Sequence, residues 1–305
     1  MQLHKLNESG LVDELRALSA SNDQQNIFNV SVRLNGSRYY AAYRARVNGE
    51  KAFRAYASSK AADGGGTWSV PLDLTNLAGR SGVAPVADPK LLILQGDMYV
   101  TFNTGYRSNA DNDIYLFRLT PEPGPLQRCR VEGGRSRVEK NWAFFEAADE
   151  GLRAIYSLHP YTLLRAISGR LGTEDELVFT RDPIAPVAGD TLGAWSIGTQ
   201  PLVLPDRMLL IAHEKLSIGP KRTYFGRLVE IRDDGAGVVS ARVSRKRLVH
   251  SLRSMLPRRG AHNPNLLSAT YFAGISQHGG DILLSYGVND VAFGIATTSE
   301  ESLWR

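Results

Sequence analysis

Residues 92–103 read Leu92-Ile93-Leu94-Gln95-Gly96-Asp97-Met98-Tyr99-Val100-Thr101-Phe102-Asn103, and this stretch decides the fold. An apolar run meets a turn at Gln95-Gly96-Asp97, and a second run of aliphatic and aromatic residues then ends at the polar Asn103. Gly and Asp favour the backbone of a tight turn, while branched and aromatic side chains favour the flanking strands. The stretch therefore predicts a β-hairpin.

The same pattern recurs four more times along the chain. The copies lie at residues 32–44, 142–156, 202–213 and 275–286, so the five hairpins end at intervals of roughly 55 to 75 residues. Repetition at this period is typical of propellers, in which each blade is a four-stranded antiparallel sheet with its innermost strand at a central channel. Five hairpins predict an all-β, five-bladed β-propeller, with a polar pocket at its axis as the default ligand site.

One helix is predicted outside the repeats, over Leu11–Ser19, because Leu11, Leu15 and Leu18 recur at helical spacing. We assign residues 1–25 to a helical extension that packs outside the propeller, and residues 26–305 to the propeller as the catalytic domain. The 43% hydrophobic content of this 305-residue chain is sufficient for a large packed core.

Composition excludes several classes of protein. The start of the chain lacks a secretory signal and no apolar run approaches the roughly 18–20 residues that span a bilayer, so we expect a cytoplasmic protein without a transmembrane segment. Cys129 is the only cysteine, which rules out an intrachain disulfide. We predict no metal and no cofactor, because HExxH, EF-hand, clustered His/Cys and βαβ-type GxGxxG patterns are all missing from the sequence.

The net charge of +5 is concentrated in a basic segment, residues 242–259, which contains Arg242, Arg245-Lys246-Arg247, Arg253 and Arg258-Arg259. Such a segment attracts a nucleotide-sugar, a phosphorylated acceptor or an anionic membrane surface. The alternative, which we favour, is a solvated helix or loop. Nucleic acid is not an expected partner, because no aromatic residues are interleaved with these cations as stacking platforms.

Asp88 is the best candidate for acid chemistry. An enzyme that acts on a glycosidic bond needs a proton donor beside the bridging oxygen, and a nucleophile or base opposite it. In Val86-Ala87-Asp88-Pro89-Lys90, Pro89 is expected to hold Asp88 in an extended conformation at the entrance of the second hairpin. The alternative for this residue alone is an ordinary Asp-Pro turn.

Further polar side chains occupy equivalent places in the other repeats. They are Asn29 and Arg44 in the first, Lys140 and Asn141 in the third, His213 in the fourth and Asp290 in the fifth. Residues 137–142 combine cations with an amide and an indole, a combination that suits a phosphate or carboxylate. Taken singly, Arg44 is typical of a surface strand end and His213 of a core histidine, so the hypothesis of a site depends on their convergence.

The order of these motifs resembles glycoside hydrolase family 130 and the related glycosyltransferase family 108. The matching motifs run in order over most of the chain, from Asn26 to Thr298, and they are Phe28-Asn29, Tyr43-Arg44, Asp88-Pro89-Lys90, Lys140-Asn141-Trp142, Leu210-Ile211-Ala212-His213 and Ser285-Tyr286-Gly287-Val288-Asn289-Asp290. The resemblance implies a five-bladed propeller and an inverting enzyme that acts on β-mannosides, as a phosphorylase, a β-mannosyltransferase or a β-1,2-mannosidase.

The resemblance also implies roles for individual residues. Asp88 matches the catalytic acid, which delivers its proton through a hydroxyl of the bound mannose. The implied substrate-binding residues are Asn29, Arg44, Asn141, Tyr286 and Asp290. The implied phosphate-binding or acceptor-binding residues are Arg137, Lys140, His159 and His213. Leu158-His159 is followed by Pro160, where the family has an arginine.

The implied partners are a mannose-containing oligosaccharide or sugar phosphate, together with inorganic phosphate or a nucleotide-sugar, and a homo-oligomer is left open. Hydrolysis would instead need a carboxylate base, for which Glu139 and Glu146 are the nearest candidates in sequence. Two other classes stay open, a non-catalytic glycan-binding propeller and a scaffold for another protein. The segment from Trp142 to Pro160 also resembles propeller domains appended to bacterial glycosyltransferases, which keeps the transferase alternative open.

Overall fold

The structure is a computed structural model that describes residues 3–6, 9–64, 66–105, 110–147, 151–182, 187–189, 192–233, 239–251 and 266–304. Within these ranges the chain is nearly all-β, with 23 strands and three helices. The chain begins with β1 (Leu3–Lys5) and α1 (Leu11–Ser21), so the predicted helix is confirmed and is two residues longer than expected. The first 25 residues also contain strand, because β1 pairs with a later strand and the next strand begins at Gln24.

The strands form five groups in chain order, and antiparallel pairs of strands predominate within each group. Group 1 contains β2 (Gln24–Asn35), β3 (Arg38–Val47), β4 (Phe53–Ala61) and β5 (Leu72–Asp73), followed by α2 (Leu74–Arg80). Group 2 contains β6 (Ala87–Leu94), β7 (Asp97–Asn103), β8 (Ile114–Arg118) and β9 (Leu126–Val131). Group 3 contains β10 (Ala143–Glu146), β11 (Leu152–Leu158), β12 (Tyr161–Ser168) and β13 (Leu177–Arg181). Parallel pairing of β9 with β13 joins groups 2 and 3 into one eight-stranded sheet.

Groups 4 and 5 complete the chain. Group 4 contains β14 (Val187–Gly189), β15 (Ser196–Ile197), β16 (Leu202–Leu204), β17 (Arg207–Ile218), β18 (Lys221–Asp233), β19 (Val239–Val243) and β20 (Arg247–Val249). Group 5 contains β21 (Leu266–His278), β22 (Asp281–Val288) and β23 (Ala292–Thr298), followed by α3 (Glu300–Trp304). In group 4, β14 pairs with β19 in parallel, and β1 pairs with β20 in parallel. All five predicted hairpins are therefore present, as β2–β3, β6–β7, β10–β11, β16–β17 and β21–β22.

The core consists of five apolar clusters, and each cluster joins two of the groups. One joins groups 1 and 2 around Phe102, and another joins groups 2 and 3 around Trp142. A third joins groups 3 and 4 around Phe145, and a fourth joins groups 4 and 5 around Phe272. The fifth joins group 5 to group 1 and to helix α1 around Tyr43. Both faces of each group are thus covered, which explains why strands such as β2 are buried along most of their length, polar residues included.

Buried polar side chains tie neighbouring groups to one another. The Ser31 hydroxyl in β2 accepts a hydrogen bond from Leu91 N in β6 at 3.0 Å, and Ser285 in β22 accepts one from Val32 N in β2 at 2.8 Å. The Gln200 amide binds the backbone of group 3 through Phe144 N at 2.8 Å and the Trp142 carbonyl at 2.7 Å. The groups consequently hold fixed positions relative to one another, and the candidate site lies where they meet.

Candidate functional site

A pocket of about 570 Å³ lies where the five groups meet, and every group contributes to its lining. This volume is within the roughly 300–1,000 Å³ typical of small-molecule sites. Six residues predicted from sequence line it, namely Asn29, Arg44, Asp88, Lys140, Asn141 and Asp290. The other lining residues are Phe28, Phe53, Ser196, Arg222, Tyr224, Leu266, Ala269 and Tyr271.

Asp88 is held by two neighbours from group 1. Asn29 Nδ2 donates a hydrogen bond to Asp88 Oδ1 at 2.9 Å, and a guanidinium nitrogen of Arg44 lies 3.9 Å from the same oxygen. The Arg44 guanidinium also lies over the rings of Phe28 and Phe53, 5.1 and 5.6 Å from their centroids, which restricts its movement. Both contacts go to Oδ1, so Oδ2 is the oxygen of Asp88 better placed to exchange a proton.

The backbone of Asp88 differs from the sequence prediction. Pro89 was expected to keep Asp88 extended, but its φ is +49°, in the left-handed region. The register between β6 and β7 shifts between Ala87 and Lys90, so Asp88 and Pro89 form an irregularity in the strand rather than part of a regular ladder. Such irregularities redirect a side chain out of the sheet, and here the redirected side chain lines the pocket.

Left-handed backbone is shared by four lining residues. Asn29, Asp88, Asn141 and Asp290 have φ values of +51°, +49°, +61° and +58°. Non-glycine residues seldom adopt this conformation, and Asn and Asp are the types that tolerate it best. The occurrence of four such residues around one pocket is the pattern found at functional sites, where local strain fixes side-chain direction.

Lys90, Asn141 and Tyr271 form a hydrogen-bonded cluster, in which Lys90 is buried while Asn141 and Tyr271 line the pocket. Lys90 Nζ donates to Asn141 Oδ1 at 2.9 Å, and the Tyr271 hydroxyl donates to the same oxygen at 3.3 Å. Lys90 is only 2% exposed, and burial lowers its pKa to about 8, with Asp88 opposing that shift and Lys140 adding to it. Burial, Asp88 and Asp290 raise the pKa of Tyr271 well above its ordinary value, so the phenol stays protonated.

His213 lies behind this cluster and does not line the pocket. Its ring stacks against that of Tyr271 with centroids 4.3 Å apart, and the residue is 1% exposed. Burial, and then the nearby Lys90, lower the pKa of His213 to about 3. The imidazole is therefore neutral at physiological pH and gives no positive charge to a phosphate.

Three other predicted residues lie away from the lining. Tyr286 is buried in the cluster between groups 4 and 5, against Phe272 at 5.5 Å between ring centroids. Arg137 is exposed before β10, and His159 is exposed on the turn between β11 and β12. None of these three residues lines the pocket, so its geometry gives no support to the roles predicted for them.

The two carboxylates considered as hydrolytic bases lie outside this pocket, although Glu139 lines a smaller pocket beside it. Glu139 is buried and accepts hydrogen bonds from Trp142 Nε1 at 3.0 Å and the Tyr156 hydroxyl at 3.1 Å. Glu146 accepts one from the backbone of Gln95 at 2.8 Å, on the turn between β6 and β7. Neither lines the pocket of Asp88, where the second carboxylate is Asp290.

Sequence reasoning missed several lining residues. Arg222 and Tyr224 lie near the start of β18, and Tyr271 lies within β21. All three sit in the alternating pattern of ordinary strands, so no local signal separated them from surface or core positions. Lys90 stood next to Asp88-Pro89 in the matched motif, and this proximity was the one signal that could have identified it.

A smaller pocket of about 230 Å³ adjoins the first and shares Lys140, Asn141 and Ser196 with it. Tyr156 and Trp195 give it an aromatic lining, and Ser136 and Ser157 add hydroxyl groups. Aromatic rings beside a few hydroxyls are suited to a sugar ring. The two pockets together can hold a ligand longer than one sugar.

The described part of the basic segment is tied into the fold. Arg247 forms an ion pair with Glu214, Lys246 Nζ donates to the Ser302 carbonyl at 2.9 Å, and the Arg242 guanidinium lies 4.1 Å from the Trp304 ring centroid. Up to His250 this segment is therefore strand and packed loop, whereas a solvated helix or loop was expected. Arg253, Arg258 and Arg259 lie outside the described residues.

Within the described ranges, no three or more His, Cys, Asp and Glu side chains are grouped so that they could hold a metal ion. In the same ranges, no helix is both long enough and apolar enough to cross a bilayer.

Comparison with known proteins gives a match in fold only. No protein-family model matches the chain, and no curated protein matches it in sequence. A glycosyl hydrolase from Bacteroides ovatus superposes with a TM-score of 0.60 at 11% identity, over 92% of this chain and 85% of that chain. A protein of GH130 superposes with a TM-score of 0.59 at 12% identity, over 91% of this chain and 85% of that chain. GH130 is a family of mannoside phosphorylases that contains glycoside hydrolases targeting β-1,2-mannosidic linkages in Candida mannan.

The β-1,2-mannobiose phosphorylase from Listeria innocua, in complex with β-1,2-mannobiose, gives a TM-score of 0.58 at 10% identity, over 92% of this chain and 91% of that chain. All three alignments extend over most of both chains. At such low identity the likeness concerns the fold. The chain is thus similar in fold to glycoside hydrolases and mannoside phosphorylases.

Proposed function

We propose that this protein is a carbohydrate-active enzyme that cleaves β-mannosides by inverting displacement, with inorganic phosphate as the attacking group. The observation that carries the proposal is the pocket of Asp88, in which a restrained carboxylate faces cations and amides from the surrounding strand groups. The fold likeness to mannoside phosphorylases supports the same class of substrate.

The five strand groups are, in this proposal, the blades of a five-bladed propeller. The five apolar clusters join groups 1 and 2, 2 and 3, 3 and 4, 4 and 5, and 5 and 1, which is the connectivity that a closed ring requires. Because the first strands of the groups contact one another and each group lines the pocket, the pocket lies on the axis of this ring.

Asp88 is the general acid in this proposal. As the bond between the anomeric carbon and the bridging oxygen breaks, the proton of Asp88 reaches the leaving oxygen, through a mannose hydroxyl as in the family that the sequence resembles. A phosphate oxygen forms the new bond from the opposite face of the sugar, giving mannose 1-phosphate of inverted configuration. The acceptor sugar leaves with the proton, and Asp88 regains one from solvent.

Different blades bind the mannose and the phosphate. Asn29, Arg44 and Asp290, from groups 1 and 5, hold the mannose beside Asp88. Lys140 and Arg222, from the adjacent groups 3 and 4, supply the positive charge that a phosphate needs. Arg222 thus takes the place of the cations that Arg137, His159 and His213 were expected to supply.

Phosphorolysis is tested in both directions. The protein is incubated with mannose 1-phosphate and mannose, glucose or N-acetylglucosamine acceptors while phosphate release is followed, and with β-1,2-mannobiose with and without phosphate. We expect turnover that depends on phosphate and falls by about 10²- to 10⁴-fold in Asp88→Asn. The matched control is Asp281→Asn, an exposed carboxylate at the start of β22, which is expected to leave turnover unchanged.

The outcomes separate the alternatives. Mannose release without phosphate would make the enzyme a hydrolase, with Asp290 as the remaining carboxylate of the pocket. GDP release from GDP-mannose would make it a transferase, an activity to which the structural neighbours named above give no support. Sugar binding without turnover would indicate a non-catalytic glycan-binding propeller, and full activity in Asp88→Asn would contradict the role of Asp88.

A further inference from the structure

We propose that Lys90 is a positioning residue, which together with Tyr271 fixes the Asn141 side chain so that Asn141 Nδ2 donates hydrogen bonds to an oxygen of the bound ligand. The inference rests on the proposed function, because it assigns a donor within the same pocket. The ligand group is an acceptor oxygen, and both a phosphate oxygen and a sugar hydroxyl have that chemistry.

The orientation of Asn141 follows from its two neighbours. A lysine ammonium has only hydrogens to offer, so the atom of Asn141 that faces Lys90 Nζ at 2.9 Å must be the amide oxygen. The Tyr271 hydroxyl donates to that oxygen as well, at 3.3 Å. An amide oxygen accepts two hydrogen bonds, so Oδ1 is fully occupied and the NH₂ group remains for the pocket, which Asn141 lines.

Lys90 is placed for this task and has little contact with solvent. It is 2% exposed, and its ammonium lies 5.6 Å from the centroid of the Tyr271 ring, an arrangement that favours a cation. Burying a charge is unfavourable for folding, and a charged group with one amide partner is poorly compensated. The buried position of Lys90 is therefore better explained by its orientation of the Asn141 side chain than by a contribution to the stability of the fold.

The backbone limits Asn141 in the same way. Its φ of +61° is tolerated by Asn, Asp and Gly and disfavoured for other residues. Asn141→Asp keeps the oxygen that faces Lys90 but removes the donor, and Asn141→Gly removes the side chain without adding backbone strain. These two substitutions therefore test the amide donor of Asn141 without disturbing the backbone.

The experiment measures binding by calorimetry, with inorganic phosphate in one arm and mannose in the other. Lys90→Met keeps the length of the side chain but removes the hydrogen bond, and we expect about tenfold weaker binding in the arm whose ligand contacts Asn141. Lys51→Met, at an exposed lysine, is the matched control and is expected to bind as the wild type does. Asn141→Asp is expected to weaken phosphate binding more than mannose binding if phosphate is the ligand at this position, because a carboxylate repels it.

A double variant decides whether Lys90 acts through Asn141. In the Asn141→Gly background, Lys90→Met is expected to change affinity by less than about twofold, since the side chain that it orients is gone. Thermal unfolding distinguishes a positioning role from a structural one, because Lys90→Met is expected to be at least as stable as the wild type while its binding is weaker. Lys90→Arg, which keeps a charged donor, is expected to restore part of the affinity.

Wild-type affinity in Lys90→Met, or a tenfold effect that persists in the Asn141→Gly background, would overturn the inference. Binding of a ligand by the wild type without turnover would contradict the proposed function alone, and the comparison of the Lys90 variants would still decide the inference. If the wild type bound neither phosphate nor mannose, both would fail.

Discussion

Buried His213 predicts a loss of stability in mild acid. Burial, followed by the charge of Lys90, lowers the pKa of this imidazole from 6.5 to about 3. The unfolded chain therefore takes up a proton near pH 6.5 that the folded chain takes up only near pH 3. Because the unfolded state binds more protons between these values, the free energy of unfolding falls as the pH falls through this window.

The size of the effect follows from the shift. Well below the pKa of the unfolded state each pH unit removes about 1.4 kcal/mol, so a fall from about pH 7 to about pH 5 removes about 2 kcal/mol in all. His213→Phe keeps an aromatic ring beside Tyr271 and cannot take up a proton. The substitution is expected to abolish this part of the pH dependence, whatever it does to stability at neutral pH.

Urea unfolding followed by tryptophan fluorescence, at about pH 7 and about pH 5, gives the free energy of unfolding of each variant. The wild type is expected to lose about 2 kcal/mol more than His213→Phe between these conditions. His159→Phe, which replaces an exposed imidazole, is the control and is expected to lose as much as the wild type. Equal losses in the wild type and His213→Phe would refute the reasoning.

Two further predictions concern the same core. Burial lowers the pKa of Lys90 from 10.5 to about 8, so the unfolded state binds more protons than the folded state between these values. The free energy of unfolding therefore rises with pH in this range. Urea unfolding at about pH 8 and about pH 9.5 should show this rise in the wild type and not in Lys90→Met. Gly294→Ala is expected to lower the free energy of unfolding by about 1–3 kcal/mol, because a Cβ there would overlap the ring of buried Tyr286. An unchanged urea midpoint in Gly294→Ala would contradict this account of Tyr286 as a packing residue.

The hairpins and helix α1 were predictable because their signals are local. Gly96 beside Asp97 specifies a turn, the flanking strands carry their own apolar pattern, and Leu11, Leu15 and Leu18 define one helical face. Helix α2 was missed because it has only seven residues, although Asp73 caps it by accepting from Asn76 N at 2.8 Å. The parallel pairings of β9 with β13 and of β1 with β20 join distant segments, which no local pattern encodes.

The site was predictable in part, for the same reason. Asp88 could be identified from its motif, but its backbone could not, because the preference imposed by Pro89 gives way to the surrounding sheet. The sequence motif predicted a site role for His213, but its burial behind Tyr271 depends on how groups 4 and 5 pack. The charge of a histidine depends on that burial, so sequence alone could not show that it is neutral.

The left-handed residues connect the fold to the proposed chemistry. A non-glycine residue in a sparsely populated backbone region costs about 1–3 kcal/mol, and it persists only where the surrounding structure fixes its conformation. Four such residues surround one pocket in this protein. Asn and Asp tolerate this backbone, and their amide and carboxylate groups form the hydrogen bonds that hold a sugar. At Asn29, Asp88, Asn141 and Asp290, the residue type therefore meets a backbone requirement and a chemical one together. An alanine substitution at any of the four would disturb both, whereas exchange between Asn and Asp changes the chemistry and leaves the backbone preference nearly intact.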